Sequence, residues 1–147
     1  MMAGLVLAAA GACAAALLGW LRGNWMIAVV RGNSMAPTLG DGQRLLARRV
    51  RDGRCARGDI IVFSLTEEQL RRDQSEDLPL RIKRVAAVAG EPIPEWLGPL
   101  MQVHDGRVPS GTLVVSGDNP QSQGSRQLGF IDQRRVLGRV TPARRRT

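Results

Sequence analysis

The first feature of the chain is an unbroken apolar run. From Met1 to Leu21 no side chain is charged, and the run supplies about 20 apolar residues, a helix about 30 Å long that matches one bilayer core. Trp20 and Trp25 flank Arg22, the first charge, where an aromatic belt would sit. The pattern predicts one N-terminal transmembrane helix, an anchor over residues 1–22. A cleaved signal peptide would carry basic residues ahead of its apolar run, and none precede this one. Ala10-Gly11-Ala12-Cys13 also lacks the large apolar residue expected of a lipoprotein site.

Beyond the anchor, short apolar or alternating stretches are punctuated by turn residues. Strands are predicted at Trp25–Val30, Gln43–Ala47, Asp59–Phe63, Leu80–Val88, Gly111–Val115 and Arg135–Val140. The expected fold class is therefore mainly β, a domain over residues 25–142 followed by a basic tail at 143–147. Thr66–Pro79 is densely charged and reads as a short solvated helix or a loop, outside the active part. Prolines in Pro92–Pro99 bar ladder pairing and mark a second irregular connection.

At 147 residues, with 44% hydrophobic and 23% charged side chains, the chain has one domain's worth of globular composition. The net charge of +8 is compatible with nucleic acid, an anionic membrane or simple solubility. Five aromatics and no Tyr make a base-stacking surface a poor fit, so no nucleic-acid partner is expected. Cys13 and Cys55 cannot build a disulfide framework, and the single His104 lies in a turn-like segment without a companion ligand. Neither a metal nor another cofactor is expected.

Two positions carry chemistry. Ser34 lies in Gly32-Asn33-Ser34-Met35-Ala36-Pro37-Thr38-Leu39, directly after an apolar strand, where a sharp turn can leave backbone amides free beside a nucleophile. A nucleophilic serine needs a base, and His104 has no triad context. Lys83 is the only lysine among 21 basic residues, and strand alternation sets it on one face with Val85 and Ala87. At a reference pKa of about 10.4, about 1 lysine in 2,500 is neutral at pH 7, and lowering the pKa by about three units costs about 4 kcal/mol. An apolar strand face supplies that cost through desolvation.

Together these segments resemble the type I signal peptidases, membrane-anchored serine-lysine peptidases. The nucleophile segment is similar to Gly32–Leu39, the second motif to Arg57–Phe63, and the general-base motif to Lys83-Arg84-Val85 with Gly90-Glu91. The last motif is similar to Gly117-Asp118-Asn119 followed by Ser122-Gln123-Gly124-Ser125-Arg126 and Gly129, with Val108-Pro109-Ser110-Gly111 ahead of it. The resemblance implies a signal-peptidase-like β catalytic domain in which Ser34 attacks the scissile carbonyl and Lys83 takes its proton. Ser122 would hold the lysine amine, with Ser125 as the alternative if the segment shifts register. The oxyanion hole would use the backbone amides of Ser34 and Gly32.

Three departures stand out. Gly124 replaces the usual Asp and deprives Arg126 of its expected partner; Ala87 and Ala89 replace Gly and Pro; and the domain is short, a minimal form. The resemblance further implies precursor proteins bearing signal or leader peptides as substrates, small side chains at the first and third positions before the cut, and pairing of the extended peptide with Ile27–Val30. It places the enzyme in the cell membrane, single-pass, with the catalytic domain outside the cytoplasm, against the bias of Arg22 and Arg31. Two other readings are a self-cleaving repressor-type Ser-Lys domain, whose usual DNA-binding partner cannot be Met1–Leu21, and a catalytically silent, membrane-tethered basic module.

Overall fold

The computed structural model describes residues 2–73, 79–98 and 105–140, with side chains from residue 11 onward. His104, the tail at 143–147 and the last two residues of the expected domain lie outside that set.

Helix α1 (Met2–Asn24) passes without a linker into strand β1 (Trp25–Val29). It continues two residues past the expected anchor because its last carbonyls find donors. Asn24 Nδ2 reaches the Trp20 carbonyl at 2.8 Å, while Arg49 and Arg51 reach those of Arg22 and Gly23 at 3.4 Å. The expected transmembrane span is not among the elements found: among the described residues no helix is long and apolar enough to cross a membrane.

The domain is built on one seven-stranded antiparallel sheet, in keeping with the expected β class. Its strands are β1, β2 (Arg44–Arg49), β3 (Ile60–Ser64), β4 (Leu80–Val88), β5 (Thr112–Ser116), β6 (Ile131–Asp132) and β7 (Val136–Val140), in the spatial order β1-β2-β7-β3-β4-β5-β6. The last strand thus fills the gap between β2 and β3. β3 is buried on both faces: Ile60 and Val62 pack with Met35 and Leu39, Ile61 and Phe63 with Val85, Val115 and Leu128. That double burial explains its unbroken apolar sequence.

Helix α2 (Glu67–Arg72) realises the helical option for the charged segment. It starts in a reciprocal cap between Thr66 and Gln69, and the buried Gln69 side chain donates to the carbonyls of Leu128 and Phe130. A short helix α3 (Ser125–Leu128) follows β5, and Glu95–Leu97 forms a 3-10 turn within the proline-rich connection.

Candidate active site

The segment after β1 is a turn pinned from below. Met35 is fully buried, and Leu39 N–H donates to the Met35 carbonyl at 2.9 Å, closing one helical turn with Ser34 at its head. Ser34 is half-buried, and its amide has no hydrogen-bond acceptor among the described residues. Gly32 differs. At φ +72 its amide donates to Asp41 Oδ1 at 2.7 Å, so that N–H is already engaged.

Strand β4 presents Arg81, Lys83, Val85 and Ala87 inward, with Lys83 opposite the buried Ile61 on β3. Lys83 is 4% exposed, and burial pushes its pKa from 10.5 down to about 8, helped by Arg81 and opposed by Asp73. At pH 7 about one amine in ten is then neutral, far above the unperturbed fraction. Asp73 caps the C-terminus of α2 and accepts from Arg81 Nε at 2.6 Å, both side chains being buried. The expectation that the charged segment stands outside the active part is therefore corrected: its end supplies a wall residue beside Lys83. A lone acid after a helix of solvent-facing charges gave no sign of this in sequence.

The tract after β5 locks the turn carrying Ser34 to β4. Asn119 N–H donates to the Ser34 carbonyl at 3.2 Å and Asn119 Nδ2 to the Asn33 carbonyl at 3.1 Å. Asp118 takes a forked pair of bonds from Arg84, both at 2.7 Å, while Arg84 Nη1 reaches the Gly58 carbonyl at 2.8 Å. This pairing holds the Asp118 carboxyl below its usual range, and Thr38 assists. Asp118 thereby joins the residue after Lys83 to the turn carrying Ser34. Gly117 sits between them with no room for a side chain: a Cβ there would collide with Ser122 Oγ and the Ser34 carbonyl oxygen.

The two candidate serines part company. Ser125 Oγ is fully buried and accepts the Val115 N–H at 2.8 Å, an internal bond to β5. Ser122 Oγ is buried with no hydrogen-bond partner among the described residues and faces the cavity system. Gly124 runs so close to β5 that an added Cβ would stand 2.8 Å from the Val115 carbonyl oxygen, which explains the missing carboxylate. Arg126 instead lies over the Trp96 ring, 5.8 Å from its centroid.

One cavity of about 440 Å³ unites these groups; its wall includes Gly32, Ser34, Asp73, Lys83, Asn119 and Ser122. A second cavity of about 280 Å³ extends from Ser34 between Met26–Val29 of β1, with Val30, and Leu80–Ile82 of β4, and is mostly apolar. A hydroxyl, a partly neutral amine and an unpartnered second hydroxyl in one recess are the parts of a nucleophile and base. Among the described residues no three His, Cys, Asp or Glu side chains gather as metal ligands would.

Comparison with known proteins agrees in kind. The family model described as signal peptidase, peptidase S26, matches residues 2–96, a span containing Ser34 and Lys83 but not Ser122. A Signal peptidase I of Bacillus licheniformis is 33% identical over 138 residues, covering 75% of this chain and 71% of the relative.

Proposed function

The chain belongs to the peptidase S26 family of signal peptidases, and we propose that it is a membrane-bound serine endopeptidase that removes signal or leader peptides from exported precursors with a Ser34–Lys83 dyad. The observation that carries this reading is the shared cavity of Ser34, the sole lysine and Ser122.

In the proposed reaction, neutral Lys83 takes the Ser34 hydroxyl proton as Oγ attacks the scissile carbonyl. The Ser34 amide donates to the developing oxyanion, and the Gly32 amide would join it on release from Asp41. The lysine ammonium returns its proton to the leaving amine, giving an acyl-enzyme and the mature chain's new N-terminus. Water, deprotonated by the same amine, then hydrolyses the ester and frees Ser34. Ser122 Oγ, unpaired among the described residues, is assigned the role of receiving the amine and orienting it toward Ser34.

β1 pairs only with β2 among the described strands, so its other edge is available to an extended peptide leading to Ser34. The apolar cavity between β1 and β4 is suited to side chains before the cut. With residues 1–22 read as an anchor, this edge lies beside a bilayer. Trp20, Ile27, Val29 and Leu46 are all exposed large apolar residues around that junction, which favours residence at a membrane surface. The catalytic domain is assigned outside the cytoplasm, where translocated precursors present their cut sites.

The test is cleavage of a synthetic leader peptide by the full chain in detergent. Ser34→Ala should remain folded and lose cleavage by several orders of magnitude. A folded Ser34→Ala protein that cleaves near the parent rate contradicts the assignment.

A further inference from the structure

Another cavity, remote from Ser34, lies at the foot of α1. It has a volume of about 430 Å³ and is walled by Asn24, Arg48, Arg49, Arg51, Arg54 and Arg139, together with Val50 and Asp52. Two of its arginines have carboxylate partners, Arg54 with Asp52 and Arg139 with Asp59, each at 3.3 Å. Arg48, Arg49 and Arg51 have none among the described residues. Three guanidinium groups without a carboxylate, two of them held only by helix carbonyls, thus line one recess, and their planar donor forks match phosphate oxygens.

The location narrows the anion. Arg49 and Arg51 are hydrogen-bonded to the last carbonyls of α1, which fixes the cavity at the level where the apolar helix ends. Arg48 is the cross-strand partner of Trp25, and beyond it Ile27 pairs with Leu46. Ile27 and Leu46 are 65% and 56% exposed and, with Trp20 and Leu21, line an adjoining, strongly apolar recess. An arginine cavity and an apolar trough thus meet at one strand pair, a match for a ligand with an anionic head and hydrocarbon tails.

We propose that the arginine cavity at the foot of α1 binds the phosphate of an anionic phospholipid, whose chains lie along Trp20, Leu21, Ile27 and Leu46. This rests on the reading of α1 as a membrane anchor and is independent of the peptidase chemistry. Bound lipid would fix the height of β1 against the bilayer.

The experiment uses the full chain in neutral detergent, titrated with phosphatidylglycerol or phosphatidylcholine of identical tails, with bound lipid counted by native mass spectrometry. The parent should prefer the anionic lipid by about tenfold or more, with a preference that falls as salt rises. Arg48→Gln/Arg49→Gln/Arg51→Gln should abolish the preference, and the control Arg57→Gln/Arg71→Gln/Arg107→Gln should keep it. Should the first triple variant misfold, Arg48→Gln, which holds no helix carbonyl, is expected to reduce the preference severalfold. Inorganic phosphate at equal concentration should not displace the lipid. Equal affinity for both lipids, an unchanged preference in folded Arg48 variants, or displacement by inorganic phosphate overturns the proposal. Two parallel readouts separate the premises: leader-peptide cleavage by the triple variant in detergent should match the parent, and flotation of the parent with neutral liposomes reports the anchor alone.

Discussion

At the scale of single residues, the site turns on which hydroxyl has something else to do. Both Ser122 and Ser125 fit the tract in sequence, since a register shift of a few residues leaves no mark on composition. Packing separates them: Ser125 Oγ satisfies the Val115 amide, and Ser122 Oγ satisfies nothing among the described residues. Ser125→Ala should therefore cost about 1–3 kcal/mol of stability by orphaning a buried N–H. Ser122→Ala should stay within about 0.5 kcal/mol of the parent while turnover falls sharply, as urea unfolding and kcat measurements would establish. Gly124 was legible as a departure but not as a necessity, because its reason is the neighbouring strand. Putting a carboxylate back with Gly124→Asp should destabilise by about 1–3 kcal/mol through overpacking against β5. A variant as stable as the parent would mean that β5 yields readily at that point.

At the scale of elements, periodicity located what alternation can reveal. The inward row of β4 was legible because nine residues give enough repeats to assign a face, and Lys83 lies on it. β6 was not, since two residues carry no pattern and its pairing with β5 is set by the sheet. Asp73 was missed for a related reason: its importance comes from where α2 ends relative to β4, a tertiary fact. The Asp118–Arg84 pair is the element-level joint, tying the post-β5 tract to β4 beside the lysine. Asp118→Asn should cost about 2 kcal/mol and lower kcat by loosening the turn that carries Ser34. Because pairing depresses the Asp118 pKa from 3.8, its contribution is full above that value and is lost as pH falls through the lower folded-state pKa. The parent should therefore lose stability on acidification more steeply than Asp118→Asn, a difference readable from urea midpoints across the acid range.

At the scale of the whole molecule, a helix continuous with an edge strand sets the site at a fixed offset from the foot of α1, so in the proposed anchored form sidedness decides which substrates it meets. The mainly β class was legible from strand punctuation, whereas the insertion of β7 between β2 and β3 is a long-range choice invisible to local pattern. Cys55 is a poor reporter of sidedness, because burial and Asp59 raise its pKa to about 11 and leave little reactive thiolate. A cysteine at the exposed Arg57 position should instead be labelled by an impermeant thiol reagent on intact cells; labelling only after lysis would place the domain in the cytoplasm. The central claim, that a buried neutral lysine serves as the base, is tested most directly by the pH dependence of kcat/KM for the parent and for folded Lys83→Arg. The parent's rate should rise through about pH 8, the Lys83 value, and level off above it. Lys83→Arg keeps the positive charge yet cannot release a proton in that range, so it should lose nearly all turnover and the ascending limb with it. Comparable cleavage by folded Lys83→Arg with the limb unchanged would contradict the serine-lysine mechanism.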